Sequence, residues 1–210
     1  MKRVIEGTKQ YSSRVFEKRR ALFEPLADGQ KPVALFITCS DSRIDPELLT
    51  ESDPGRLFMI RNGGNIVPRY DRVATSESGT IELAIAGLQV EHVIICGHSR
   101  CAAVGGILFP DRVKQLPILA DWLANAQTSF SPEERQGLDS GGTYPVWAVE
   151  RHVEQQMTNL RSHPAVAYAE SADRLHIHGW IYHLENGQVT ARDQQSGEFR
   201  PLEDVYVETA

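Results

Sequence analysis

The sequence has no apolar run approaching the ~18–20 residues of a membrane-spanning helix, so a chain crossing a bilayer as a helix is excluded. It has little cysteine. Cys39, Cys96 and Cys101 are the three, and an odd, small number argues against a disulfide framework and for thiols in a reducing, cytoplasmic compartment. It has no excess of basic charge: 22 Lys and Arg against 28 Asp and Glu leave a formal net charge of −6. A domain that grips nucleic acid by its phosphates is usually basic, so nucleic acid is not an expected partner, and neither is an anionic membrane surface. There is no internal repeat, no low-complexity tract and no linker rich in Pro, Gly or Ser. The basic start, Met1-Lys2-Arg3, has no apolar run behind it, so no secretory leader is expected. What is present, 41% hydrophobic and 24% charged residues in 210, is ordinary for a globular domain with a sizeable core.

Residues 1–27 read as a helical arm. Val4, Tyr11, Val15, Phe16, Leu22, Phe23 and Leu26 fall on broad helical faces among Lys, Arg and Glu, with Gly7 as an interruption. Residues 28–210 are then expected to form one α/β domain. Val33 to Thr38 is a continuous apolar run, the pattern of a strand buried on both faces, and Leu57 to Ile60 and Val93 to Cys96 repeat it. Helical patterns cover 75–88, 101–108, 116–126 and 146–160. Leu175 to Leu184 reads as a strand, followed by an Asn186-Gly187 turn and a partner strand over 188–192. Strands alternating with helices predict a mainly parallel sheet flanked by helices, with one antiparallel hairpin near the C-terminus.

The chemistry-bearing residues stand at strand ends. Cys39 follows the first apolar run in Cys39-Ser40-Asp41-Ser42-Arg43. His98 and Cys101 follow the third in Gly97-His98-Ser99-Arg100-Cys101. Ligands of open α/β sheets bind beyond the carboxyl ends of strands. If these strands are neighbours, two thiolates and an imidazole converge, a donor set that suits Zn²⁺ and leaves a fourth position free. The plain alternative is a pair of cysteines packed as small apolar residues, and Cys96, inside its strand, reads that way. Against that alternative for the other two stand polar neighbours that do not belong in an apolar core: Ser40, Asp41, Arg43, Ser99 and Arg100. Asp41 and Arg43, two residues apart, can pair. Such a pair would keep the carboxylate ionised and off the metal, where it could accept a hydrogen bond from zinc-bound hydroxide. If it broke, Asp41 could become the fourth ligand and close the site.

Those two motifs, with Arg61-Asn62-Gly63-Gly64-Asn65 between them, resemble the β-class carbonic anhydrases in order and separation, over about Leu22 to Asn186. The arm, the Leu116 to Ala126 region and His178-Gly179-Trp180 resemble cyanobacterial members. The resemblance implies reversible hydration of CO₂ to bicarbonate and a proton by zinc-bound hydroxide, a lyase reaction with one zinc per subunit. Cys39, His98 and Cys101 match the metal ligands, Asp41 and Arg43 the catalytic dyad, Phe58 an apolar residue of the substrate pocket, and Gln30 a glutamine that hydrogen-bonds bicarbonate in a partner subunit's site. It also implies a twisted sheet and a homodimer, or a higher oligomer built on it, wrapped by the N-terminal helices. Leu83 stands where plant members commonly have a pocket tyrosine, and Phe36 where members with an inhibitory second bicarbonate site have a tryptophan. The rivals are a hydrolase of CS₂ or COS on the same scaffold and a zinc-binding interaction module without activity. His176 and His178, two apart on one strand, raise a second metal site, against which stands the ordinary role of half-buried sheet histidines. Trp122, Trp147 and Trp180 are expected in the core or at an interface.

Overall fold

The computed structural model describes residues 1–206. The arm is helical from Lys2 to Asp28, as α1 (Lys2–Tyr11), a π turn (Ser12–Phe16), a 3₁₀ turn (Glu17–Arg19) and α2 (Arg20–Asp28). Gly7 does not interrupt it. The break falls at Arg19, whose φ of −120° and ψ of 24° leave the helical region. No residue of the arm is buried in this chain, and Val4, Ile5, Tyr11 and Val15 are exposed.

Six strands follow: β1 (Ala34–Cys39), β2 (Leu57–Asn62), β3 (His92–His98), β4 (His176–Tyr182), β5 (Val189–Arg192) and β6 (Phe199–Pro201). The helices between and after them are α3 (Pro46–Leu49), α4 (Ser76–Glu82, prolonged by a π turn to Gly87), α5 (Ala102–Leu108), α6 (Pro117–Ala124), α7 (Pro132–Arg135), α8 (Trp147–Arg161), α9 (Pro164–Ser171) and α10 (Leu202–Val205). The sheet order is β2-β1-β3-β4-β5-β6. The first four strands are parallel, and β4-β5 and β5-β6 are antiparallel. Sequence reading misses β6, three residues long and without an apolar run. It also misses α3, α7, α9 and α10, which open on or just after a proline and are too short or too evenly apolar to show a period.

The fully buried parallel strands explain their unbroken apolar runs. Leu35, Ile37, Val93 and Ile95 face the larger core, where Val149, Val153, Met157 and Leu160 of α8 cover them. Phe36, Ile94 and Cys96 face a smaller cluster with Ile44, Leu49, Leu57 and Trp180. Because β2 lies on one side of β1 and β3 on the other, the chain reverses direction across the sheet at β1. The crevice beyond the carboxyl ends of β1 and β3 is thus a topological switch point.

Helix α8 can lie so close to β3 because Gly97 has no side chain. A Cβ there would come within 2.8 Å of both Val149 Cγ1 and Val153 Cγ2. Gly97→Ala should therefore cost about 1–3 kcal/mol through overpacking, read as a lower urea midpoint; an unchanged midpoint would show that α8 has room to move.

Candidate metal centre

The β1–β3 register places Thr38 opposite Cys96, so Cys39 and the turn after β3 emerge side by side. Arg100 takes a positive φ of 56°, rare for a residue with a side chain, which turns the chain so that His98 and Cys101 face the same point. Glu185 holds this turn, accepting from Ser99 Oγ at 2.6 Å and from Arg100 Nε at 2.7 Å. Cys101 then caps α5 and its carbonyl accepts the Tyr144 hydroxyl at 2.6 Å.

The outcome is one cluster. The ligating atoms of Cys39, His98 and Cys101 lie within 4.8 Å of one another, and all three residues are buried. The sulfurs are 3.9 Å apart, close to the ~3.8 Å that two thiolates reach on a tetrahedral zinc with bonds of about 2.3 Å. His98 Nδ1 is 2.9 Å from the Ser99 carbonyl. A carbonyl can only accept, so the proton sits on Nδ1 and the Nε2 lone pair is free. That Nε2 is buried without a partner, the state a metal ligand would be in before the metal is added. The donor set and spacing fit zinc.

Electrostatics agree. Two thiols this close cannot both ionise without a cation. Cys39 is lowered to about 4, first by the hydrogen bond from the Cys101 thiol and also by the Gly64 N–H, 3.4 Å from Sγ. Cys101 is pushed well up by that same contact with Cys39 and by burial. A bound dication would hold both as thiolates.

Asp41 lies at the cluster's open side, with Oδ2 3.8 Å from His98 Nε2. Arg43 grips it three times: Nε to Oδ1 at 2.9 Å, Nη2 to Oδ2 at 2.7 Å and the backbone N–H to Oδ1 at 3.0 Å. These bonds hold the Asp41 carboxyl well below the usual carboxylate range. Arg61 fixes the loop beneath by donating to the carbonyls of Cys39, Asp41 and Ile44 at 3.3, 2.9 and 2.9 Å.

Gln30 and Phe58 are not part of this cluster. Gln30 is exposed in the turn before β1, in an open groove with Leu26 and Gly55. Phe58 pairs with Leu35, four positions before Cys39, ~13 Å along the strand at about 3.3 Å per residue. Both stand toward the amino ends of the strands, away from this chain's own thiols. Leu83 is exposed, and Phe36 is buried edge-on to Trp180.

A set of supporting residues escapes sequence reading. His152, Gln156 and Asn159 form a buried polar stripe on α8. His152 Nε2 lies 2.7 Å from the Gly64 carbonyl, Gln156 accepts from Val67 N at 3.0 Å, and Asn159 donates to Val67 O at 3.0 Å. Trp122, expected in the core or at an interface, is half-buried and donates to the Gly63 carbonyl at 2.8 Å. The spacing i, i+4, i+7 was the available signal. His92, His163, His178 and His183 have partners as well. His178 Nε2 lies 3.1 Å from His92 Nδ1, and His178 Nδ1 2.7 Å from the Tyr206 hydroxyl. Among the described residues the Cys39, His98 and Cys101 group is the one whose three ligand atoms converge for a metal, and His176 with His178 does not join it.

The carbonic anhydrase family profile matches residues 34–189. The chain is 41% identical to a carbonic anhydrase of Pseudomonas aeruginosa over 202 residues, 96% of this chain and 92% of that one. Its fold is similar to that of the β-carbonic anhydrase CcaA, with a TM-score of 0.84 and 35% identity over 96% of this chain and 91% of the other. It is also similar to a tetrameric β-carbonic anhydrase of Sordaria macrospora, with a TM-score of 0.74 and 26% identity over 90% and 94%.

Thiolate, not thiol, is the nucleophile in alkylation. After chelator treatment, iodoacetamide at pH 6–7 should label Cys39 first, while Cys96, pushed up to about 12 by burial, stays unlabelled, and added zinc should protect Cys39. Mass mapping that finds Cys96 modified first would contradict this ordering.

Proposed function

The chain belongs to the β-class carbonic anhydrases, and from that premise we propose how its residues divide the work. The enzyme hydrates CO₂ reversibly to bicarbonate and a proton, with zinc as cofactor. A hydrolase of CS₂ or COS and an inactive zinc module are not favoured, since the relatives carry the carbonic anhydrase name.

Cys39, His98 and Cys101 hold the zinc, and the observation that carries this is the unpartnered His98 Nε2 beside two buried sulfurs. When bound, zinc supplies a Lewis acid that makes water nucleophilic near neutral pH. Asp41 supplies orientation. Kept ionised by Arg43, its carboxylate accepts the nucleophile's proton in a hydrogen bond and aims the oxygen lone pair at CO₂. The Arg43 clamp also keeps Asp41, whose Oδ2 lies 3.8 Å from His98 Nε2, from turning its carboxylate onto the metal as a fourth ligand and shutting the site.

Gln30 and Phe58 serve the site of a second copy. Their place toward the amino ends of β1 and β2 gives them no reach to their own chain's thiols, and the exposed apolar residues of the arm, 1–27, have no cover within one chain. A homodimer in which the arm of each protomer wraps the body, 28–210, of the other answers both, with Phe58 walling the CO₂ pocket and Gln30 donating to bicarbonate. Dimers of this kind can assemble further. The three unpaired cysteines suit a cytoplasmic location, and no described helix is long and apolar enough to cross a membrane.

Stopped-flow CO₂ hydration on metal-quantified protein tests these roles. Cys39→Ser should lose zinc and activity together; stoichiometric zinc in that variant overturns the ligand assignment. Asp41→Asn should keep zinc and lose about 10²-fold or more in kcat/KM; an unchanged rate removes its role. Gln30→Ala should keep zinc and lose activity, and mixing it with Cys39→Ser protein should restore part of it if sites are shared between copies. A mixture that stays inactive would assign Gln30 to its own chain or to no site.

A further inference from the structure

The buried histidine of α8 touches none of the groups assigned above, yet it leads to one of them through a single residue. His152 is fully buried, and burial lowers it to about 4, so it is neutral at neutral pH. The Gly64 carbonyl can only accept, so His152 donates from Nε2 across 2.7 Å, and Nδ1 accepts from the Thr128 hydroxyl at 3.0 Å. Gln156 Nε2 in turn donates to Thr128 Oγ1 at 3.3 Å. The chain of donors thus has one direction: Gln156, Thr128, His152, Gly64. The N–H of that same Gly64 points at Cys39 Sγ, 3.4 Å away. Gly64 sits at φ +88°, and a Cβ there would come within 2.7 Å of Ala103 Cβ, so only glycine fits the place. Trp122 fixes the preceding carbonyl at 2.8 Å.

We propose that His152 is a positioning residue for the metal centre, holding Gly64 by its carbonyl so that the Gly64 N–H stays aimed at the Cys39 sulfur and tempers its donor strength. A thiolate that accepts an N–H bond gives less charge to a bound cation. With two thiolates already neutralising a dication, that restraint preserves the metal's pull on water. Removing the His152 donor leaves Gly64 held only through Trp122 on the Gly63 carbonyl, loosens the N–H···S bond and makes Cys39 a stronger donor. The inference rests on Cys39 being a metal ligand, and the test separates the two.

Cobalt(II) is substituted for zinc in the wild type and in His152→Leu, His152→Gln and Thr128→Val, and the thiolate-to-cobalt charge-transfer band is recorded with the pH profile of kcat/KM. His152→Leu fills the space without a donor. Its band should move to longer wavelength, its profile to higher pH, and its kcat/KM at pH 7 should fall about 10-fold. His152→Gln, which keeps an N–H, should return both toward wild type. Thr128→Val, which frees the ring, should move both in the Leu direction by less, and it decides the matter if the Leu protein does not fold. Unchanged band and profile in folded His152→Leu, or in Thr128→Val when the Leu variant cannot be had, overturn the role of His152. A wild-type cobalt protein without any thiolate charge-transfer band overturns instead the assignment of Cys39 as ligand.

Discussion

Two sulfurs 3.9 Å apart in a buried pocket can share one negative charge between them, or carry two if a cation lies beside them. Without the cation, Cys39 is the thiolate and Cys101 the thiol that donates to it. That pairing needs β1 and β3 as parallel neighbours with their carboxyl ends level, and the rest of the fold supplies it. The all-apolar strands fix the sheet centre, Gly97 lets α8 press against it, and Arg100 in its positive-φ turn brings His98 and Cys101 to face the same point. The unsatisfied Nε2 of His98 would be costly in an ordinary core. Here it faces the two sulfurs, where the metal is proposed to sit.

Around that centre the chain spends its polar groups on holding backbone. Arg61 takes three carbonyls, Glu185 clamps the Ser99-Arg100 turn, and the stripe on α8 reads the loop from Gly64 to Val67. At the open side Asp41 and Arg43 pair with each other. The backbone around the three converging side chains is accordingly tied down by hydrogen bonds, and Asp41 stands at the open corner. Gln30 and Phe58, proposed to face substrate, lie toward the far ends of the strands, which makes a second copy part of the proposed chemistry.

Much of this was legible in sequence because buried parallel strands and their trailing motifs are contiguous. Val33 to Thr38 announces β1, and Cys39, Asp41 and Arg43 follow within five residues; His98 and Cys101 trail β3 in the same way. Register, however, has no signature in composition. That Phe58 stands opposite Leu35 rather than beside Cys39 depends on strand pairing alone. Gly7 looked like a helix break, but one glycine costs only about 1 kcal/mol in a helix, and the neighbouring turns carry the arm through it to Arg19. His152 and Trp122 were visible as residues and invisible as partners, since what they hold is backbone in a distant loop. β6 was missed because three residues pairing on an edge need no apolar pattern.

The central claim, that the end of β1 and the end of β3 with the turn after it together hold one ion and leave a place beside it, is tested most directly by X-ray absorption at the zinc edge of the purified protein. The account predicts one zinc per chain with two sulfurs, one imidazole nitrogen and one further light atom in its shell. Metal-free protein, or a zinc whose shell lacks sulfur or contains more than two, would contradict it.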